Sequence, residues 1–336
     1  MDVQYHLQCF NQRMNPKLKR LWIETTDLCN SRCKMCSIWK TKVSKRNLDY
    51  NVLGNPLFKH VDYLLNSGGE PSLCDLKSIL LLEHNLLPKA TLQVSTNGLL
   101  PDRVLDAVES VLESGAIVDV GISLDGIGEE HDQIRGVPGN FEKVNYLVHS
   151  LEDFKERNSS CLRVTVGSIL TPETARRTDK LLDYAKTNKV AFIWHWPNKS
   201  AFYNNDDLNL NPSKDIDILT QAICKAFPDD IYRECWLNSL HGIAPVFDCY
   251  ALRSFAVLKC NGDIAPCLSL WDKSIGNIMK DDPSKVWNSK EYDCMRERVH
   301  DCGMHGCLNS WGFAWSLKDA YFPLLKRAIK RRLKAV

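Results

Sequence analysis

The sequence predicts an α/β protein: a partial barrel of six strand–helix units, followed by a small cysteine-rich α+β domain. Two observations lead to this fold. After Leu21, short β-branched runs alternate about six times with amphipathic helical stretches, a pattern typical of a parallel sheet. From Cys249 onward, cysteines become frequent. The length of 336 residues and the 44% hydrophobic content suit a barrel with one smaller domain.

The predicted elements follow one another closely along the chain. Residues 1–20 are a polar lead-in. Strands are predicted at 21–26, 61–66, 91–96, 117–124, 162–170 and 190–196. Helices are predicted at 74–87, 101–114, 140–156, 173–188 and 212–227. Prolines stand near three helix starts, where a missing N–H costs little. We place the barrel at 21–230, the small domain at 240–312 and a basic helix at 313–336. In such sheets the active site lies at the carboxyl ends of the strands.

Composition narrows the function classes. The net charge of +2 indicates no nucleic-acid partner, and the basic tail is interpreted as a solvated helix, with a dock for an acidic peptide or carrier protein as the alternative. The first twenty residues lack the apolar core of a signal peptide, and no apolar run is long enough to span a membrane. We therefore expect a cytoplasmic protein, in which fourteen cysteines indicate metal binding or catalysis rather than disulfides.

Three cysteines stand directly after the first predicted strand. Cys29, Cys33 and Cys36 have the spacing C-x3-C-x2-C. Structural zinc sites and ordinary electron-transfer clusters are closed by four protein ligands. Three thiolates on a [4Fe–4S] cluster leave one iron open to a substrate or cofactor. A zinc site or chance clustering is the alternative.

Further motifs follow the next three strands. Segment 67–71 (Ser-Gly-Gly-Glu-Pro) follows the second strand, and its two glycines allow a ligand to approach the backbone closely. Segment 95–98 (Ser-Thr-Asn-Gly) follows the third strand, and 123–126 (Ser-Leu-Asp-Gly) ends the fourth. Arg135 offers a guanidinium that can bind a carboxylate in a forked geometry. The nearby His131 and Asp132 are interpreted as turn or helix-start residues. In the sixth strand, Trp194 and Trp196 are interpreted as core residues, with stacking on a substrate as the alternative.

These motifs resemble those of the radical S-adenosylmethionine (SAM) superfamily, in the subfamily with a C-terminal SPASM or Twitch domain. The resemblance covers about residues 20–310 and implies a TIM-like (β/α)6 partial barrel. It implies that SAM chelates the open iron and is split into methionine and a 5′-deoxyadenosyl radical, which takes a hydrogen atom from the substrate. The three cysteines would be the catalytic cluster ligands. SAM would be bound by Gly68, Gly69, Glu70, Pro71, Asn97, Ser123 and Arg135.

The second cysteine group resembles the start of SPASM and Twitch domains. Cys249, Gly262 and Cys267 match C-x(9–15)-G-x4-C, and an Asn-Gly turn at 261–262 predicts a hairpin. With Cys302 and Cys307, the resemblance implies one auxiliary [4Fe–4S] cluster, because the further cysteines of a full SPASM domain are missing. Cys294 could replace Cys302 or Cys249, and Cys260 is a spare thiol. A zinc ribbon is the alternative.

We expect oxidation or epimerisation of a small molecule such as a sugar or aminocyclitol. The cluster loop begins at residue 29, which leaves no room before it for a leader-peptide-binding domain. Epimerisation would need a hydrogen-donating cysteine, for which the candidates are Cys74, Cys161, Cys235 and Cys260. An electron donor such as flavodoxin or ferredoxin is expected. Alternatives are a maturase acting on a ribosomal peptide or protein side chain and, outside catalysis, an iron–sulfur electron carrier or zinc-binding module.

Overall fold

The computed structural model describes residues 16–41, 48–157, 161–205, 215–227, 231–243, 249–300 and 315–316. Within these residues, one sheet contains eight strands in the spatial order β6–β5–β4–β3–β2–β1–β7–β8. Neighbours from β6 to β7 are parallel, and β7 and β8 are antiparallel. The strands are β1 (Arg20–Thr26), β2 (Tyr63–Gly68), β3 (Thr91–Thr96), β4 (Ile117–Ser123), β5 (Leu162–Ile169), β6 (Ala191–His195), β7 (Phe255–Leu258) and β8 (Ile264–Ala265).

Helices connect the parallel strands. They are α1 (Leu76–Leu86), α2 (Pro101–Glu113), α3 (Glu129–Arg135), α4 (Asn140–Arg157), α5 (Pro172–Ala175), α6 (Thr178–Thr187), α7 (Ile216–Ala226), α8 (Ile231–Leu240), α9 (Pro283–Trp287) and α10 (Lys290–His300). Helix α2 shows why these segments are helical. Its buried residues recur at helical spacing and form one apolar stripe against the sheet; they are Val104, Ala107, Val108, Val111 and Leu112.

The predicted α/β partial barrel is confirmed. All six predicted barrel strands are present, with ends within two residues of the predicted ones. The helix predicted at 173–188 is divided into α5 and α6. The hydroxyl of Thr174 donates to the carbonyl of Ile169, which ties the short α5 to the end of β5. Helix α3 was not predicted as a separate element, and residues 212–214 of the seventh helix lie outside the described residues.

Strand β7 joins the barrel sheet, which the sequence did not predict. Phe255 pairs with Arg20 and Leu258 with Ile23, in parallel register. The turn after β7 is the predicted Asn-Gly turn, with Gly262 at φ +85°, and β8 returns as the second strand of the hairpin. The predicted boundaries at 21–230 and 240–312 remain predictions. Strands β7 and β8, which fall in the predicted small domain, extend the barrel sheet.

Alternation along the strands separates a helix-facing side from a barrel interior. On β4, Val118, Val120 and Ile122 are buried in the apolar core under the helices. In the described ranges, no helix combines the length and apolar character needed to cross a membrane.

Candidate active site

The three cysteines of the loop after β1 line one cavity of about 390 Å³ at the carboxyl ends of the barrel strands. The loop is fixed against the end of α3. Arg32 donates its backbone N–H to the carbonyl of Arg135 at 2.9 Å, and Lys34 donates to the carbonyl of Ile134 at 3.0 Å. The hydroxyl of Ser31 also donates to the carbonyl of Arg135, at 3.1 Å. Helix α3 therefore determines where the cysteine side chains lie.

Hydrogen-bond donors surround the sulfur atoms. Nδ2 of Asn97 lies 3.9 Å from Sγ of Cys29, and Nη1 of Arg135 lies 3.6 Å from Sγ of Cys33. Burial raises the pKa of Cys29 to about 11 and the pKa of Cys36 to about 12. Both groups are therefore protonated at neutral pH until a metal displaces the proton, which couples metal binding to proton release.

The arrangement of the cysteines fits a cluster better than one ion. Zinc would require sulfur atoms at about 2.3 Å from a single point. In the part of the chain that the structure describes, no three Cys, His, Asp or Glu side chains are arranged to hold one metal ion. Three thiols that share a cavity wall without converging can each bind a different iron of a [4Fe–4S] cluster.

Gly68 and Gly69 bring the second motif against the cysteine loop. A Cβ on Gly69 would lie 1.9 Å from the carbonyl oxygen of Leu28, and Gly68 adopts φ +115°. The N–H of Gly69 donates to the carbonyl of Thr26 at 2.6 Å. Side chains are therefore excluded here by close backbone packing. Pro71 follows as the first residue of a short 3-10 helix.

The carboxylate of Glu70 is fully buried and links two motifs. Oε1 accepts from the backbone and hydroxyl of Ser72 and from the hydroxyl of Thr96, and Oε2 accepts from the N–H of Asn97 at 2.7 Å. The side chain of Asn97 then donates to Oδ1 of Asn30 at 2.8 Å. Glu70 thus positions Asn97 against the cysteine loop.

Asp125 is an important site residue that the sequence prediction missed. It is fully buried, and its Oδ2 accepts from Nε of Arg135 at 2.6 Å. Its Oδ1 accepts from the hydroxyl of Ser168 and the N–H of Ile169. Burial alone would raise the pKa of Asp125, but the Arg135 guanidinium and these donors hold that pKa below its usual value. Asp125 therefore fixes the guanidinium that reaches Cys33. Its place in the 123–126 motif was the available signal.

His131 and Asp132 have the structural roles that the sequence indicated. His131 is buried, and its Nδ1 accepts from the N–H of Asp125 at 3.1 Å, while burial lowers its pKa to about 4. Asp132 accepts from the N–H groups of Gly139 and Phe141 and so secures the turn into α4.

The barrel interior below the cysteines is polar, and the sequence prediction did not identify it. Ser95, Gly121 and Thr165 lie in register on three neighbouring strands and line the cavity. One layer nearer the amino ends, Gln93, Asp119 and Arg163 form a second row in register. The hydroxyl of Tyr63 lies 2.7 Å from Oε1 of Gln93 and 2.8 Å from Oδ2 of Asp119. Barrel interiors are usually filled with bulky branched residues, so these layers leave a polar space. Polar residues at alternate positions of these strands could have indicated the polar interior from the sequence.

Two family models match the chain. One is that of the radical SAM superfamily, over residues 23–185, and the other is that of the SPASM iron–sulfur cluster-binding domain, over residues 249–308. The chain belongs to the radical SAM superfamily. These matches support a radical SAM enzyme over the electron-carrier and zinc-module alternatives. The radical SAM family model implies SAM and a [4Fe–4S] cluster as cofactors, and the SPASM model implies auxiliary iron–sulfur clusters.

Three known proteins are similar to this chain in sequence or in fold. The chain is 27% identical over 241 residues to Fe-coproporphyrin III synthase of Methanosarcina barkeri (strain Fusaro / DSM 804); the match covers 67% of this chain and 57% of that protein. Streptococcus suis SuiB has 17% identity and a TM-score of 0.64, over 88% of this chain and 71% of that one. The structure of anSMEcpe with bound AdoMet and Cp18Cys peptide has 17% identity and a TM-score of 0.64, over 94% and 100% of the two chains. At such identities the two structures show the fold.

Six of the seven predicted SAM contacts line the same cavity, and Pro71 is not among its lining residues. Ser123 lines it from the end of β4, together with Gly68, Gly69, Glu70 and Asn97. Arg135 also lines the cavity, but Asp125 binds its Nε. The contact of these residues with SAM remains a prediction.

At the carboxyl end of β6, Trp194 is the core residue that the sequence predicted, whereas Trp196, also predicted for the core, is half-buried at the cavity. Trp194 is completely buried, and its Nε1 donates to the carbonyl of Ala222 in α7. His195 and Trp196 line the cavity. A Cβ on Gly167 would lie 2.5 Å from Nε2 of His195, so this glycine makes room for the imidazole. Burial lowers the pKa of His195 to about 4, and the ring is neutral at pH 7.

Part of the second cysteine group lies within the described residues. Cys267 follows the hairpin, and the next residue, Leu268, lines the cavity. Cys249 is half-buried and Cys294 is exposed on α10. Cys302 and Cys307 lie outside the described residues, as does the basic helix predicted at 313–336 except for residues 315–316. The single auxiliary cluster and its ligand set therefore remain predictions.

The four candidate hydrogen donors are not among the described cavity-lining cysteines, which are Cys29, Cys33 and Cys36. Cys260 is buried, and its N–H donates to Oε2 of Glu24 at 3.0 Å. Cys74 contacts the carbonyl of Thr25, Cys161 stands just before β5 and Cys235 is buried in α8.

Proposed function

We propose that this enzyme oxidises a polar small molecule by hydrogen-atom abstraction. When bound to Cys29, Cys33 and Cys36, the [4Fe–4S] cluster supplies the electron that splits SAM, and the resulting 5′-deoxyadenosyl radical removes a substrate hydrogen. The residues of the chain bind and orient SAM and the substrate, and they shield the radical from solvent. The fourteen cysteines fit the reducing cytoplasm as the place of action.

The residues around the cysteine loop suit the amino-acid end of SAM. The Asp125 carboxylate fixes Arg135, whose guanidinium carries a positive charge suited to a carboxylate. Gly68 and Gly69 line the cavity, and we assign their backbone to the amino group of SAM. Glu70 holds Asn97 in place at the same mouth.

The polar interior of the barrel is the observation that carries the substrate class. Hydroxyl, amide and carboxylate groups line the cavity below the cysteines; they belong to Tyr63, Gln93, Ser95, Asp119 and Thr165. Such a surface binds hydroxyl or amino groups through hydrogen bonds and leaves polar groups unpaired with an apolar substrate. A sugar or aminocyclitol fits these groups.

The position of Cys267 supports oxidation over epimerisation. Its neighbour Leu268 lines the substrate cavity, so an auxiliary cluster at Cys267 would lie beside the substrate. After loss of a hydrogen atom to the deoxyadenosyl radical, the substrate radical would lose a proton to a base and one electron to this cluster. The sum is a two-electron oxidation. Epimerisation would instead need a cavity-facing thiol, and the described cysteines at the cavity are the three cluster ligands.

Modification of a peptide or protein side chain is the second candidate. It is favoured by the aromatic mouth of the cavity, where Trp39, Trp196 and Tyr203 could flank an inserted side chain. The anSMEcpe structure, which has a similar fold, contains a bound peptide.

The first experiment is anaerobic reconstitution with iron and sulfide, followed by SAM and dithionite. We expect 5′-deoxyadenosine and about eight irons per chain, for two clusters. Cys29→Ala should abolish 5′-deoxyadenosine. Cys224→Ala, which removes an exposed cysteine on α7, is the matched control and should behave as wild type. Equal 5′-deoxyadenosine from Cys29→Ala would refute the assigned cluster loop.

A second arm tests the auxiliary site and the substrate. Cys267→Ala should lose about four irons while retaining SAM cleavage. Unchanged iron content would refute the auxiliary site.

Polyols, amino sugars and short peptides are then screened for substrate-dependent loss of hydrogen into 5′-deoxyadenosine. Turnover of peptides alone would replace the first candidate by the second.

A further inference from the structure

The outer face of the cysteine loop carries a group of cations around one indole ring. Arg32, Lys34 and Lys40 are exposed, and the half-buried Trp39 contacts Arg32 and Lys40. We call Arg32, Lys34, Trp39 and Lys40 the basic rim. Arg32 and Lys34 are sequence neighbours of Cys33, so the rim belongs to the cysteine loop itself.

The geometry of the rim is well defined. Cζ of Arg32 lies 5.1 Å, and Nζ of Lys40 lies 5.3 Å, from the centroid of the Trp39 ring. Cation–π attraction therefore holds two positive charges at one ring. The indole Nε1 of Trp39 donates to the carbonyl of Cys36 at 3.0 Å, and Nη1 of Arg32 lies 3.4 Å from the carbonyl oxygen of Cys29. The rim thus contacts the backbone of two cluster ligands directly.

The charges of the rim face away from the substrate. Trp39 lines the cavity, whereas the three cationic side chains are not among its lining residues. Lys34 forms an ion pair with Glu173 at 3.3 Å, in which both side chains are about half exposed. Arg32 and Lys40 therefore give the rim a net positive charge that the cavity does not use.

We propose that the basic rim docks a small acidic protein that donates one electron to the cluster. Each reductive cleavage of SAM needs one electron from outside, and the cysteines are largely buried, so the donor must approach the loop closely. A positive patch steers an acidic partner to this face and orients it there. In the transfer, a reduced flavodoxin passes from hydroquinone to semiquinone as the cluster gains one electron. This inference depends on membership of the radical SAM superfamily and not on the proposed substrate.

The test is the rate of cluster reduction by an acidic flavodoxin in its hydroquinone form. Holoenzyme without substrate or SAM is mixed anaerobically with the flavodoxin in a stopped-flow instrument. Lys40→Glu reverses a rim charge without removing a contact to a cysteine backbone. Lys89→Glu makes the same change at an exposed site just before β3, at the opposite end of the strands.

We expect Lys40→Glu to lower the second-order rate about tenfold at about 0.02 M salt. The difference should shrink at about 0.5 M salt, because ions screen the attraction. The Kd for the flavodoxin, measured by titration calorimetry, should rise by a similar factor. Lys89→Glu should match wild type, and reduction by dithionite should be equal in all three proteins.

If Lys40→Glu is reduced by the flavodoxin at the wild-type rate and binds it with the wild-type Kd, the proposal is wrong. If Lys40→Glu also slows reduction by dithionite, the loop itself is altered, and Lys34→Glu becomes the deciding variant under the same criteria. Because the assay contains no substrate, a wrong substrate assignment leaves the result unchanged.

Discussion

The buried ion pair between Asp125 and Arg135 gives the sharpest prediction about the site. Asp125→Asn keeps the shape of the side chain but removes its charge and leaves the Arg135 guanidinium, which is 9% exposed, without a counter-ion. Removing one partner of such a buried pair costs about 3–5 kcal/mol, because the remaining charge stays buried and uncompensated. We therefore expect a loss of this size in the free energy of unfolding at pH 7.

The assay is anaerobic urea unfolding followed by tryptophan fluorescence. Asp179→Asn is the matched control, since it breaks an ion pair with Lys225 at 2.7 Å in which Asp179 is 73% exposed. Exposed pairs contribute about 0–1 kcal/mol. Because the folded-state pKa of Asp125 is depressed, its contribution should be present at neutral pH and disappear in wild type as the pH falls below about 4. A loss below about 1 kcal/mol at pH 7, equal to that of the control, would refute this account of the pair.

Three further predictions follow from single positions. Burial raises the pKa of Glu83 from 4.5 to about 8, so the folded chain holds a proton that the unfolded chain releases; the contribution of Glu83 to the free energy of unfolding should fall between pH 4.5 and 8, and the difference between wild type and Glu83→Gln should fall with it in a pH series of urea unfolding. Gly69→Ala would place a methyl group 1.9 Å from the carbonyl oxygen of Leu28, so we expect loss of SAM cleavage; wild-type 5′-deoxyadenosine would argue against the close packing. Arg135→Lys should raise the Kd for SAM about tenfold, because an ammonium group cannot fork onto a carboxylate; equal affinity in calorimetry would exclude that contact.

The strands and the cysteine loop could be predicted because local sequence determines them. Alternating β-branched runs and helices predicted the parallel sheet, and the close spacing of three cysteines predicted that they lie together, as they do at one cavity. The division between α5 and α6 was not predicted, because it depends on a hydrogen bond from Thr174 to the end of β5. Such a contact joins elements only after they have packed.

The network that fixes the site could not be found from local patterns. Asp125 and Arg135 are ten residues apart, and nothing in their spacing shows that one binds the other inside the barrel. Glu70 was assigned to SAM by resemblance, but its carboxylate is used within the protein to position Asn97. The sequence identified Glu70 and Arg135 as site residues. The hydrogen-bond partner of each of their polar atoms could be seen only in the structure.

Strand β7 brings the start of the second cysteine region to the sheet edge that carries the cysteine loop. It pairs in parallel with β1, so the carboxyl ends of both strands point to one side of the sheet. The loop after β1 carries the three cysteines, the turn after β7 carries Cys260, and Cys267 follows β8. The contact from the N–H of Cys260 to Glu24 on β1 joins the two strands beyond their paired residues. An antiparallel β7 would have sent the hairpin to the opposite end, away from the cavity. The direction of β7 therefore puts the turn of the hairpin at the cavity end of the sheet, and Leu268, the residue after Cys267, lines the cavity.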